Sequence, residues 1–106
     1  MRQCKVLYNG RYAGVLTEKD TGGYTFTYDK GYFEDPNARP VCLAMPLREA
    51  EYEDTSLFPF FCNLLPEGSN KRYFCSLYHI SPEDEFGLLL KCGSGDTIGP
   101  VTIEQI

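Results

Sequence analysis

The chain has 106 residues, of which 42% are hydrophobic and 14% aromatic; this suffices for one core and is too apolar for disorder, so residues 1–106 are read as a single domain. Ten Lys and Arg against fifteen Asp and Glu give a net charge of −5, which disfavours direct nucleic-acid binding, because phosphates are neutralised by cations, and suits a basic protein partner. No apolar run approaches the roughly 18 residues of a membrane span, and Met1 to Lys5 lead into alternation rather than an apolar signal core, so a cytoplasmic location is expected.

Cys4 to Tyr8 alternates and ends at Asn9-Gly10. Asn-Gly between two extended apolar runs is a strong hairpin signal, since a type I′ turn needs two residues with positive φ. The return strand runs from Tyr12 to Thr17, with Gly14 a candidate bulge. After the turn at Asp20 to Gly23, Tyr24 to Tyr28 puts aromatics on one face and Thr on the other. The first thirty residues thus predict a three-stranded antiparallel meander. Asp29 to Pro40 reads as a loop holding at most one turn of helix. Val41 to Met45 reads as a short strand stopped by Pro46, and Leu47 to Thr55, rich in Glu, as an exposed loop.

From Ser56 the period changes. Ser56 is a candidate helix cap with Pro59 in the first turn, and Phe58, Phe61, Cys62 and Leu65 share one helical face. Pro66-Glu67-Gly68 ends that helix. Ser69 or Asn70 caps a second, with Tyr73, Phe74, Leu77 and Tyr78 assigned to its inner side. Ser81-Pro82-Glu83-Asp84 starts a third, which carries Phe86, Leu89 and Leu90 inward and stops at Gly93. Gly95-Asp96 makes a turn, and Thr97 to Ile103 is a closing strand, with Pro100 marking an edge or bulge. The expected fold class is α+β: a small antiparallel sheet, the meander plus the closing strand, with about three short helices packed on it.

No catalytic constellation emerges. Gly93-x-Gly95-x-x-x-Gly99 is one residue too long for a dinucleotide loop and joins a helix to a strand, the reverse of the required order. His79 is the sole histidine, which leaves a Cys–His nucleophile little support. The five cysteines (Cys4, Cys42, Cys62, Cys75 and Cys92) are odd in number, lack a Cys-x-x-Cys pair and lie among apolar residues. Reduced, mostly buried thiols are expected rather than a disulfide framework or a zinc site. The acids at Glu49, Glu51, Glu53 and Asp54, and at Glu83, Asp84 and Glu85, read as solvated or dipole-matched groups. Lys71-Arg72, beside Pro66-Glu67-Gly68-Ser69-Asn70, is the one basic doublet placed to meet a partner. No catalytic, cofactor-binding or metal-binding residue is expected.

Three segments carry a resemblance: Tyr8 to Leu16, then Phe60-Phe61-Cys62-Asn63-Leu64-Leu65-Pro66-Glu67-Gly68, then Gly95 to Ile103 with Gly95-Asp96-Thr97-Ile98-Gly99-Pro100-Val101. In this order they resemble the N-terminal subdomain of HipA-type toxin kinases, and Arg39 to Leu47 looks like the stretch that lies between in that family. The resemblance covers essentially the whole chain. In the family a kinase core follows this subdomain and holds the ATP site and metal ligands; none of these is identifiable here, so kinase activity does not carry over and the chain is expected not to be an enzyme. A free-standing copy is similar to HipS, the small subunit of split HipBST systems of bacteria. That resemblance implies an antitoxin that binds a HipA/HipT-like kinase core made as a separate chain and restrains it, with a helix-turn-helix HipB-like protein in the same complex. The candidate partner-binding residues are Glu67, Gly68, Ser69, Asn70, Lys71 and Arg72. Some stand-alone relatives carry a bulky aromatic just after Pro-Glu-Gly; this chain has Ser69 there and no Trp, so a polar contact is expected. Two other roles are open: a structural subunit that completes the kinase or docks it to the DNA-binding protein, and an N-terminal piece of a longer kinase. Fifteen Phe and Tyr also predict exposed aromatic surface.

Overall fold

The computed structural model describes residues 1–93 and 99–106. Among them, five strands form one antiparallel sheet: β1 (Arg2–Tyr8), β2 (Arg11–Glu18), β3 (Tyr24–Tyr28), β4 (Tyr52–Asp54) and β5 (Val101–Gln105), in the order β4-β3-β2-β1-β5. Four helices accompany it: α1 (Lys30–Phe33), α2 (Pro59–Cys62), α3 (Gly68–Tyr78) and α4 (Glu85–Cys92). The expected α+β class, the meander and the closing strand are all present. None of the helices among the described residues is long and apolar enough to cross a membrane.

The hairpin forms for the reason its sequence gives. Asn9 and Gly10 have φ of 50° and 82°, the two left-handed positions of a type I′ turn. The bulge falls one residue earlier than expected: Val6 pairs with Gly14 and Leu7 with Tyr12, leaving Ala13 as the extra residue. Pairing then puts Cys4, Leu16 and Phe26 in line across the sheet, with Val6 beside Ile103. These are all buried, and they form one core with Tyr28, Phe61, Phe86, Leu89 and Val101. The opposite face carries Gln3, Lys5, Thr27 and Glu104, as alternation requires for a sheet covered on one side.

Several elements differ from expectation. Residues 41–45 are turns rather than a strand. Val41 and Met45 are buried there, but Leu43 is 96% exposed. The cause is the Tyr28 hydroxyl, which donates to the Met45 carbonyl and accepts from the Val41 N–H at 3.0 Å, gathering both ends of the segment on one buried oxygen. The loop expected over 47–55 contains β4, which pairs with β3 through Tyr52 opposite Phe26. The first long helix is only α2, capped by Phe58 rather than Ser56. Ser56 instead donates its N–H to Asp54. Phe58 and Phe61 are buried as expected. The closing strand starts at Val101, just after Pro100, and lies at a sheet edge. The expected Gly95-Asp96 turn lies outside the described residues.

The third predicted helix begins at Glu85, with Asp84 rather than Ser81 as its cap. Asp84 accepts from the Gly87 N–H at 3.1 Å and from both terminal nitrogens of Arg2, at 3.1 and 2.7 Å. Arg2 also grips Glu18 and lies over the Phe86 ring at 5.3 Å. A β-carbon at Gly87 would come within 2.3 Å of the Asp84 carboxylate, so glycine is what lets the carboxylate sit there. These contacts join the first strand to the last helix, and no local sequence rule anticipates them.

Two predictions follow from these contacts. Tyr28→Phe strands the buried Val41 N–H, at a cost of about 1–3 kcal/mol, read by urea unfolding, with little change expected in far-UV circular dichroism. Arg2, chiefly by hydrogen bonding, holds the Asp84 carboxyl below its usual range. A carboxylate depressed in the folded state adds stability above its unfolded value near 4 and loses it as pH falls through the folded value. Asp84→Asn should therefore flatten the acid limb of the stability curve below about pH 4 while keeping the helix cap. Asp84→Ala should also lose the cap, about 0.5–2 kcal/mol at neutral pH.

Candidate partner-binding site

Glu67 to Arg72 form the cap and first turns of α3. Glu67 is extended, with φ −124° and ψ 160°, and makes no side-chain cap bond; Gly68 turns the chain into the helix with φ 58°. Neither Ser69 nor Asn70 is the cap: both lie inside the first turn. Glu67, Gly68, Ser69, Asn70 and Arg72 are exposed, and Lys71 is half-buried. The Ser81 hydroxyl, with help from Lys71, holds the Glu83 carboxyl below its ordinary range. Arg72 has no ion pair among the described residues.

The inner side of α3 is not the one expected. Cys75 is its one buried residue, with Phe74 half-buried beside it. Tyr73 is 61% exposed, Leu77 51% and Tyr78 41%. The helix packs on α4, whose Phe86, Gly87, Leu88 and Leu89 are all buried. Phe74 stacks parallel to Tyr78 at 6.1 Å and meets Tyr73 edge-on at 5.4 Å. The six candidate residues are thus continuous with an aromatic and aliphatic face that points to solvent. Sequence reasoning assigned those side chains inward because a helical stripe of apolar residues does not say which way it faces. The signal available was that α3 carries two stripes, one through Phe74 and Cys75 and one through Tyr73 and Leu77.

The other candidate chemistries do not assemble. Among the described residues no group of three or more His, Cys, Asp or Glu could hold a metal ion. All five cysteines are free thiols. Cys62 lies 3.3 Å from a Glu85 carboxylate oxygen; burial first, and that carboxylate second, push the thiol up to about 11. Burial pushes Cys4 up to about 12. A catalytic thiol needs the opposite, an electropositive setting that lowers the pKa. His79 closes α3 in a left-handed conformation, φ 56° and ψ 46°, as an exposed C-cap. Of the glycine series, Gly93 closes α4 and its carbonyl accepts from the Ile103 N–H at 2.8 Å; Gly95 lies outside the described residues. Within the first acidic cluster Glu53 pairs with Lys19 at 2.9 Å, and Asp54 holds the N–H groups of Thr55 and Ser56.

The family profile of the HipA N-terminal domain matches residues 4–104. The chain belongs to that family, which is defined on the N-terminal subdomain of HipA and not on its kinase domain. A solved structure of the N-terminal domain of HipA toxin superposes with a TM-score of 0.74 at 29% identity, covering 100% of this chain and 93% of that one. An uncharacterized protein of Haemophilus influenzae is 31% identical over 99% of this chain and 93% of its own length. "Putative kinase Y4mE" of Sinorhizobium fredii is 30% identical over 97% of this chain, which spans only 24% of that protein. HipA in a Shewanella oneidensis complex with HipB and operator DNA shares the fold, with a TM-score of 0.75 at 21% identity over 95% of this chain and 23% of that one.

One prediction tests the non-nucleophilic setting of Cys62. A thiol pushed up to about 11 carries far less thiolate at pH 7.5 than an ordinary one, an effect partly offset by the greater nucleophilicity of the thiolate it does form, so iodoacetamide should label Cys62 about tenfold more slowly than free cysteine. Labelling at the free-thiol rate, followed by mass spectrometry, would reopen thiol chemistry at this position.

Proposed function

We propose that this chain is a non-catalytic protein-binding module of a HipA-type toxin–antitoxin system, a single HipA N-terminal-like domain that binds a separately encoded Ser/Thr kinase core and neutralises it. The observation that carries this reading is the solvent-facing side of α3. Tyr73, Leu77 and Tyr78 stand exposed on the helix whose first turns hold Glu67 to Arg72. Rigid aromatics beside an Arg are the composition of interface centres, and leaving them in water forfeits burial worth roughly 25 cal/mol per Å². Family membership supplies the kind of partner. The relative from Haemophilus influenzae, matched over 93% of its length, supports a free-standing subunit. Ser69 follows Pro66-Glu67-Gly68, so neutralisation here works through surface blocking rather than an inserted aromatic. The HipA of Shewanella oneidensis assembles with HipB and operator DNA; a HipB-like partner in the same complex, with DNA contacted by that partner alone, fits the acidic charge of this chain.

A second reading is favoured by the 24% share of Y4mE and the 23% share of the Shewanella HipA that the domain spans: a subunit or segment that completes a kinase without inhibiting it. Co-expression with a HipA-type kinase core lacking this subdomain separates the two. A stable complex with restored growth is the antitoxin outcome. A stable complex with growth still arrested is the completing-subunit outcome. Absence of any complex overturns both. In the binding case, Tyr73→Glu with Leu77→Glu should weaken the complex at least about thirtyfold, the effect of losing a hot spot worth about 2 kcal/mol, while the unfolding midpoint of the isolated chain stays close to wild type.

A further inference from the structure

The turn over residues 41–45 carries an apolar tip that the fold does not use. Leu43 is 96% exposed, more than any other large apolar residue among the described ones, and Ala44 and Pro46 beside it are exposed too. A lone exposed leucine is ordinary; a leucine held out on a fixed backbone is not. Leu43 and Ala44 are the corner residues of a turn closed by the Met45 N–H on the Cys42 carbonyl at 3.2 Å, positions that Asn, Asp, Ser and Gly usually take.

Tyrosine hydroxyls fix the chain on both sides of the tip. Tyr32 donates to the Arg39 carbonyl at 2.5 Å, Tyr28 donates to the Met45 carbonyl and accepts from the Val41 N–H at 3.0 Å, and Tyr52 donates to the Pro46 carbonyl at 2.6 Å. The rings of Tyr28 and Tyr32 are buried and stack at 6.2 Å, and Val41 and Met45 are buried at the two feet of the turn. The backbone is thus ordered in the free chain, and a partner that takes the tip has little left to order, the advantage of preorganisation. Arg48 lies over the Tyr52 ring at 3.6 Å, donates to the Ala50 and Glu51 carbonyls, and forms no ion pair among the described residues. A cation without a counter-ion therefore stands at the Pro46 end of the turn.

A protruding leucine needs a concave apolar partner. A second copy of this chain offers a poor one in the depression between the β1–β2 hairpin and α1, where Asn9, Arg11, Asn37 and Arg39 are among the lining residues. A bilayer is a poor one as well, since even a whole acyl chain anchors only marginally. We propose that Leu43 is an anchor residue for an apolar pocket, with an acidic group at its rim facing Arg48, on the protein that this domain binds. The identity of that protein, a HipA-type kinase core, rests on the function proposed above; contact through this turn is additional to the α3 face.

The test is calorimetric titration of a HipA-type kinase core lacking this subdomain with the full chain and its variants. Leu43→Ser should bind at least about tenfold more weakly, the scale of losing one buried leucine. Leu43→Met, which keeps the apolar bulk, should stay within about threefold of wild type. Arg48→Gln should weaken binding and reduce its salt dependence. Because Leu43 is exposed in the free chain, the unfolding midpoint of Leu43→Ser should match wild type. A core that binds wild type and Leu43→Ser equally overturns the anchor and leaves the functional reading standing. Equal losses in Leu43→Ser and Leu43→Met overturn the apolar pocket, and an unchanged Arg48→Gln overturns its acidic rim. A core that does not bind wild type overturns both the anchor and the functional reading.

Discussion

The structure depends on one constraint: a five-stranded sheet with a single face to cover. The buried row of Cys4, Val6, Leu16, Phe26, Tyr28 and Ile103 must be roofed. The roof comes from α2, through Phe58 and Phe61, and from α4, through Phe86 and Leu89. These short helices fill the space over the sheet. The longest helix, α3, is left to pack on α4 from outside. Its placement in a second layer is the physical reason that Tyr73 and Leu77 reach solvent, and hence that the domain offers an apolar face at all.

The roof is held in register by polar contacts of high specificity. Asp84 is at once the cap of α4 and the partner of Arg2 on the first strand, 82 residues away. Without it the helix could form but would lack a fixed start relative to the sheet. Tyr28 does the same for the loop over 41–45, with its ring in the core and its hydroxyl serving two backbone groups. Among the described residues no buried side-chain polar atom lacks a partner, as expected when such groups are retained in a small core.

The α3 face is apolar at its centre and charged at Glu67 and Arg72, the layout of a protein interface.

Local rules settled the early part of the chain. Asn9-Gly10 could only turn, the Tyr-Thr-Phe-Thr-Tyr run could only alternate, and Gly93 marked the helix limit where α4 does end. Those properties come from backbone sterics and side-chain period, which are present in any short window. The resemblance carried by Phe60 to Gly68 and by the final segment was legible too, and it placed the candidate residues at the start of α3. The outward face of α3, the turn over 41–45, the pairing of β4 and the shift of the cap from Ser81 to Asp84 were decided in three dimensions. Each depends on a distant group (α4, the Tyr28 hydroxyl, β3 and Arg2 respectively), and a one-dimensional pattern holds the apolar and polar residues but not which of them will find room in a core that others have already filled.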